Sequence, residues 1–236
     1  MKSIFISGIS SGIGKGLTKY YLGTGHQVFG ISRRGLDFSH PNLYQLKLDL
    51  ADHQKIPVAL SMLFEKVETP DLVILNAGVL GALTSIRQAS LSALKQVMEI
   101  NLWSQKVLLD FLLDQFPNLP QVIAISSGAS IRGGKGWSGY SLSKAALNML
   151  IQLYANEYTK THFCALAPGL VNTAMQDYLA TVDVNDFPSV EKIQAARGTE
   201  LMPTPEIFAP KFDLVTRQVL KYPSGEFVDI RNINSK

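Results

Sequence analysis

The chain has 236 residues, 46% of them hydrophobic and 17% charged, enough to bury the core of one sizeable α/β domain and too apolar for a disordered segment. Basic residues outnumber acidic ones only by 22 to 19, and apart from the pair Arg33-Arg34 they are scattered, which excludes the basic footprint of a nucleic-acid binder. Cys164 is the single cysteine, and no leading apolar segment or uncharged run of membrane-spanning length is present, so the expectation is a cytoplasmic protein with no disulfide and no membrane partner.

Short apolar or β-branched runs predict strands at 4–7, 27–31, 43–48, 72–75, 122–126, 163–167 and 226–230. Helical patterns at 13–22, 53–67, 90–116, 140–158 and 205–220 fill most of the gaps. This alternation implies a single-domain Rossmann fold over residues 1–236: a doubly wound parallel sheet of about seven strands with helices on both faces. The stretch 32–42 is barely long enough to cross between parallel strands, so its helix is expected to be vestigial or absent.

The first strand runs directly into Ser7-Gly8-Ile9-Ser10-Ser11-Gly12-Ile13-Gly14. Glycine is needed where φ is positive or where a ligand phosphate approaches too closely for a Cβ. The following helix offers unpaired N–H groups and a partial positive charge to a pyrophosphate. The same letters match G-x-S-x-G, a nucleophile elbow with Ser10 as nucleophile. That motif normally follows a central strand and needs a histidine well downstream, whereas the histidines here are His26, His40, His53 and His162. A dinucleotide site is the better reading, and a serine hydrolase the weaker alternative. The second strand ends Gly30-Ile31-Ser32-Arg33-Arg34. An NAD-selective site places a carboxylate at this point to bind the ribose 2′-hydroxyl. Ser32 stands there instead, with two guanidinium groups behind it that suit a 2′-phosphate, so NADP(H) is expected, with Arg33 the main contact and Arg34 secondary.

Further along, Asn76-Ala77-Gly78 follows the fourth strand, Asn101 falls within the long predicted helix, and Ser127 follows the fifth strand, at the sheet edge where ligands bind. Tyr140 and Lys144 are four residues apart at a helix start, which places the ammonium beside the phenol, where it would favour the phenolate and make a proton donor or acceptor. With Pro168-Gly169, these motifs resemble the short-chain dehydrogenase/reductase family in order and spacing over essentially the whole chain. The resemblance implies an NAD(P)-dependent oxidoreductase with a catalytic tetrad of Asn101, Ser127, Tyr140 and Lys144. It implies that Tyr140 is the general acid in reduction, that Lys144 lowers its pKa and binds the nicotinamide ribose, that Ser127 stabilises the developing alkoxide, and that Asn101 supports a proton relay. It further implies cofactor contacts from Gly8, Ser10, Ser11, Gly12, Ile13, Gly14, Ser32, Arg33, Arg34, Asp49, Leu50, Asn76, Ala77, Gly78, Pro168, Gly169, Val171 and Thr173. Two positions depart from the family: Ser7 and Leu75 stand where threonine and asparagine are usual.

The substrate expected is a small carbonyl compound or alcohol, apolar or aromatic, because residues 172–202 occupy the place of the family's substrate lid and hold Met175, Tyr178, Leu179 and Phe187. Trp137 either lines that pocket or covers the loop. His162 and Cys164 share one face of a strand, but two ligands without a third give no metal site, and none is expected. On the helix from Tyr140, Lys144, Asn148 and Gln152 form one polar stripe in a largely apolar surface. Such a helix is not expected to face water, so a homodimer or homotetramer is anticipated. The non-enzyme alternative is an NADP-binding sensor or scaffold, which would typically lack the tyrosine or the lysine.

Overall fold

A computed structural model describes residues 1–65 and 69–233 of the chain. The apolar runs form seven strands: β1 (Ser3–Ser7), β2 (Gln27–Ser32), β3 (Leu43–Lys47), β4 (Leu72–Leu75), β5 (Gln121–Ile125), β6 (His162–Ala167) and β7 (Phe227–Asp229). They make one sheet in the order β3-β2-β1-β4-β5-β6-β7, parallel throughout. Each expected strand is present with its ends moved by no more than one residue. The 32–42 crossover carries no helix.

Eight α-helices complete the described residues: α1 (Gly12–Gly23), α2 (Lys55–Leu63), α3 (Leu91–Met98), α4 (Ser104–Gln115), α5 (Ser138–Glu157), α6 (Ala174–Ala180), α7 (Glu191–Ala196) and α8 (Pro205–Gln218). Successive strand residues point to opposite faces, so β1 sends Phe5 into a core with α2, α4 and α5, and Ile4 and Ile6 into a second core with α1 and α8. Each fully buried aliphatic side chain contributes about 1.5–3 kcal/mol. Helix α8 starts at Pro205, capped by the Thr204 hydroxyl, and packs so tightly on α1 that a Cβ on Gly16 would meet the Pro205 Cβ at 2.6 Å.

Two helical expectations change. The pattern at 90–116 is not one helix: a π-helical turn, Glu99–Trp103, separates α3 from α4. An inserted residue of this kind widens the turn, and here it directs the wholly buried Asn101 inward, where its amide exchanges hydrogen bonds with the Val79 backbone. The pattern at 53–67 narrows to Lys55–Leu63, and its expected end at Val67 lies outside the described residues.

Candidate active site

The C-terminal ends of the strands open into a cleft of about 660 Å³. Every residue expected to meet the cofactor borders it except Gly14. The loop from β1 to α1 turns through Gly8 at φ +79° and Gly12 at φ +55°, left-handed conformations that favour glycine. Gly14 has a different task. A Cβ there would lie 2.2 Å from the Gly8 carbonyl oxygen and 2.6 Å from the Asn76 amide nitrogen, so this glycine lets α1 pack against the strand ends and does not reach the cleft. The Ser7 hydroxyl accepts hydrogen bonds from the N–H groups of Asn76 (3.0 Å) and Ala77 (3.1 Å), and the Asn76 amide donates back to the carbonyls of Ser7 (3.0 Å) and Gly8 (3.2 Å). The hydroxyl of Ser7 therefore suffices here, and Leu75 is simply core.

Ser127, Tyr140 and Lys144 all border the cleft, while Asn101 lies behind its wall. The Asn101 side chain accepts from the Val79 N–H (2.7 Å) and donates to the Val79 carbonyl (2.8 Å) and the Ser143 hydroxyl (2.9 Å). Asn101 and Lys144 both approach Gly78: a Cβ there would sit 3.3 Å from the Asn101 Oδ1 and 3.4 Å from the Lys144 Nζ. Ser127 is steadied from α5. The Asn148 side chain accepts from the Ser126 hydroxyl (2.5 Å) and donates to Ser130 (2.8 Å), whose hydroxyl donates to the Ser127 carbonyl (2.6 Å).

The electrostatics differ from the expectation that Lys144 lowers the Tyr140 pKa. Burial raises the phenol above its ordinary value, and the hydrogen bond with Ser127 acts against that rise. The Lys144 ammonium donates to the Ile125 carbonyl (2.6 Å) and lies 5.9 Å from the centroid of the Tyr140 ring. Its own burial lowers its pKa to about 8. A lysine lowered in this way is an ammonium below about pH 8 and neutral above it. Because kcat/KM reports ionisations of the free enzyme, its value for carbonyl reduction is expected to fall as pH rises through about 8. A profile that stays flat across that range would show that the Lys144 charge is not needed.

Toward the lid, Met175 and Leu179 border the cleft, whereas Tyr178 is exposed and Phe187 packs on Gly136 and beneath Lys135. Trp137 lines the cleft and also donates its indole N–H to the Ser189 hydroxyl (2.6 Å). The segment 172–202 contains α6 and α7 and no strand. Arg132, Gln176, Ile193 and Arg231 also border the cleft and were not anticipated. The signal for Arg231 was its place after the last strand, since ligands gather at that edge of a parallel sheet. None of the four histidines borders the cleft, which leaves Ser10 without the base a hydrolase requires. His162 contacts the Tyr222 carbonyl (3.0 Å), and Cys164 is buried in the core.

The family model described as short chain dehydrogenase matches residues 2–183. Benzil reductase ((S)-benzoin forming) of Bacillus subtilis (strain 168) is 27% identical over 220 residues, spanning 89% of this chain and 90% of its own. Benzil reductase ((S)-benzoin forming) IRC24 of Saccharomyces cerevisiae is 30% identical over 193 residues, 74% of this chain and 73% of its own. The crystal structure of the KRED1-Pglu enzyme shares the fold with a TM-score of 0.86 at 23% identity, over 97% of this chain and 100% of that one.

Proposed function

Since the chain belongs to the short-chain dehydrogenase family of oxidoreductases, we propose that its cleft reduces the carbonyl of a small apolar or aromatic ketone or aldehyde with NADPH. The observation that carries this reading is the Ser127–Tyr140 hydroxyl pair at the cleft wall with Lys144 beside it. The cofactor, when bound, supplies hydride to the carbonyl carbon. The glycine turn through Gly8 and Gly12 leaves room for a pyrophosphate at the start of α1. Ser127 donates a hydrogen bond to the carbonyl oxygen as negative charge develops. Tyr140 gives that oxygen its proton; the raised pKa keeps the phenol protonated and able to donate at neutral pH. Lys144 places a positive charge near the phenolate left behind, and Asn101 holds the π-helical turn against Val79. The benzil reductase relatives favour an aromatic carbonyl compound, in keeping with Trp137, Met175 and Leu179 on the cleft wall. Turnover of NADPH and NADH against a panel of aldehydes and ketones tests the reading: reduction of an aromatic ketone is expected, and cofactor binding without turnover of any carbonyl compound would overturn it.

We further propose that the protein is a homodimer or homotetramer. Of the polar stripe of α5, Lys144 and Asn148 turn toward the site while Gln152 is exposed, and Leu142, Met149 and Leu153 face outward, each about half exposed. An apolar stripe of this kind is suited to packing on a second copy. Among the described residues no helix is long and apolar enough to cross a membrane. Light scattering is expected to give a mass of at least twice 25.9 kDa; a monomer at working concentration would contradict the assignment.

A further inference from the structure

Two arginines border the cleft away from the Arg33-Arg34 pair: Arg132, in the loop after β5, and Arg231, just past β7. β2, which leads to Arg33 and Arg34, lies five strand steps from β7. At about 4.8 Å per step, those two strands are roughly 24 Å apart. One phosphate cannot span that distance, so a phosphate held by Arg33 and Arg34 would not reach Arg231.

Arg231 is held in a fixed orientation. Asp229, at the end of β7 and only 8% exposed, accepts from the Arg231 backbone N–H (3.0 Å), from Nε (2.9 Å) and from Nη2 (2.5 Å). Nη2 also comes within 3.6 Å of the point a Cβ on Gly128 would occupy, next to Ser127. The Nη1 edge has no hydrogen-bond partner among the described residues. Arg132 likewise has no hydrogen-bonded or ion-paired partner among them, and its charge acts on Asp229 from nearby. Two guanidinium groups therefore share one carboxylate, and the cleft wall that they line together with Ser127 carries a net positive charge. A guanidinium fixed on one edge and open on the other suits a carboxylate, which it can bind through paired N–H donors.

We propose that the substrate is a keto acid with an aromatic or apolar body, its carboxylate lying against Arg231 and Arg132 and its carbonyl oxygen facing Ser127 and Tyr140. The inference rests on the carbonyl-reductase reading. The reaction gives a hydroxy acid: the carbonyl carbon gains hydride from the nicotinamide, the oxygen gains the Tyr140 proton, and the carboxylate is unchanged. Uncharged diketones lack the group these arginines would hold.

The test compares phenylglyoxylate with its methyl ester, two compounds that differ in the charged group alone. Wild-type kcat/KM is expected to favour the acid at least tenfold, and the acid-to-ester ratio is expected to fall at least tenfold in Arg231→Gln and in Arg132→Gln. Equal use of acid and ester by the wild type, or a ratio unmoved in both variants, would overturn the carboxylate site while leaving carbonyl reduction intact. Calorimetric titration of phenylglyoxylate separates the two ideas further. If neither compound is turned over, yet phenylglyoxylate binds and its affinity drops at least tenfold in the arginine variants, the carboxylate site stands and the reductase reading falls. Unaltered affinity in both variants removes the site on binding grounds.

Discussion

Replacing Tyr140 with phenylalanine is expected to lower kcat by about 10²-fold or more, the scale of a lost general acid. The substitution removes one oxygen from a ring that is 9% exposed and whose centroid lies 6.0 Å from that of Trp137, so the packing of α5 is expected to persist. What disappears is the hydrogen bond with Ser127 and the proton for the carbonyl oxygen. The loss should fall on kcat and kcat/KM together, because the interaction is needed in the transition state and not for binding. Fluorescence titration is expected to show NADPH affinity little changed. Turnover near the wild-type rate would remove Tyr140 from the chemistry and, with it, the assignment of the site.

The central strands are legible because they are buried on both faces: runs such as Leu72–Leu75 are continuously apolar, as a parallel sheet covered by helices requires, whereas the edge strand β3 is only partly buried. The glycine turn was legible for a local reason, since positive φ at Gly8 and Gly12 restricts the residue type directly. Gly14 was assigned a ligand role because its constraint is not local: what forbids a Cβ is the Gly8 carbonyl and the Asn76 side chain, contacts that exist only after folding. The π-helical turn escaped for a similar cause, as Asn101 satisfies its amide on Val79, in a different part of the chain. Arg132 and Arg231 could be placed in one cleft only once the strand order was known. The Lys144 charge was expected to act on the Tyr140 phenol, but its direction is set by the Ile125 carbonyl, which no spacing along α5 reveals.

The second large effect concerns the cofactor. Ser32 is nearly buried and its hydroxyl accepts from the Gly35 N–H (3.1 Å), so it offers little to a ribose 2′-hydroxyl. Asp37, the next acid along the chain, is engaged with Lys15 at 3.1 Å. Arg33 and Arg34 are exposed and border the cleft, free to close on a 2′-phosphate. A hydrogen bond to a charged group contributes about 1.5–3 kcal/mol, which corresponds to roughly a ten- to hundredfold preference. Exposure places the expected value toward the lower end of that range. The kcat/KM ratio of NADPH to NADH is therefore expected to be at least about tenfold in the wild type and to approach unity in Arg33→Ala. An NADH preference, or a ratio unmoved by the substitution, would contradict this role for the loop.

The most direct test of the account is the fate of a labelled hydrogen. Wild-type protein is incubated with an aromatic ketone and NADPH carrying deuterium at the transferable position of C4, and the product is analysed by mass spectrometry. An alcohol with one deuterium on the former carbonyl carbon is expected, formed in step with NADPH consumption and suppressed in Tyr140→Phe. Consumption of NADPH without labelled alcohol, or labelled alcohol formed equally well by Tyr140→Phe, would contradict it.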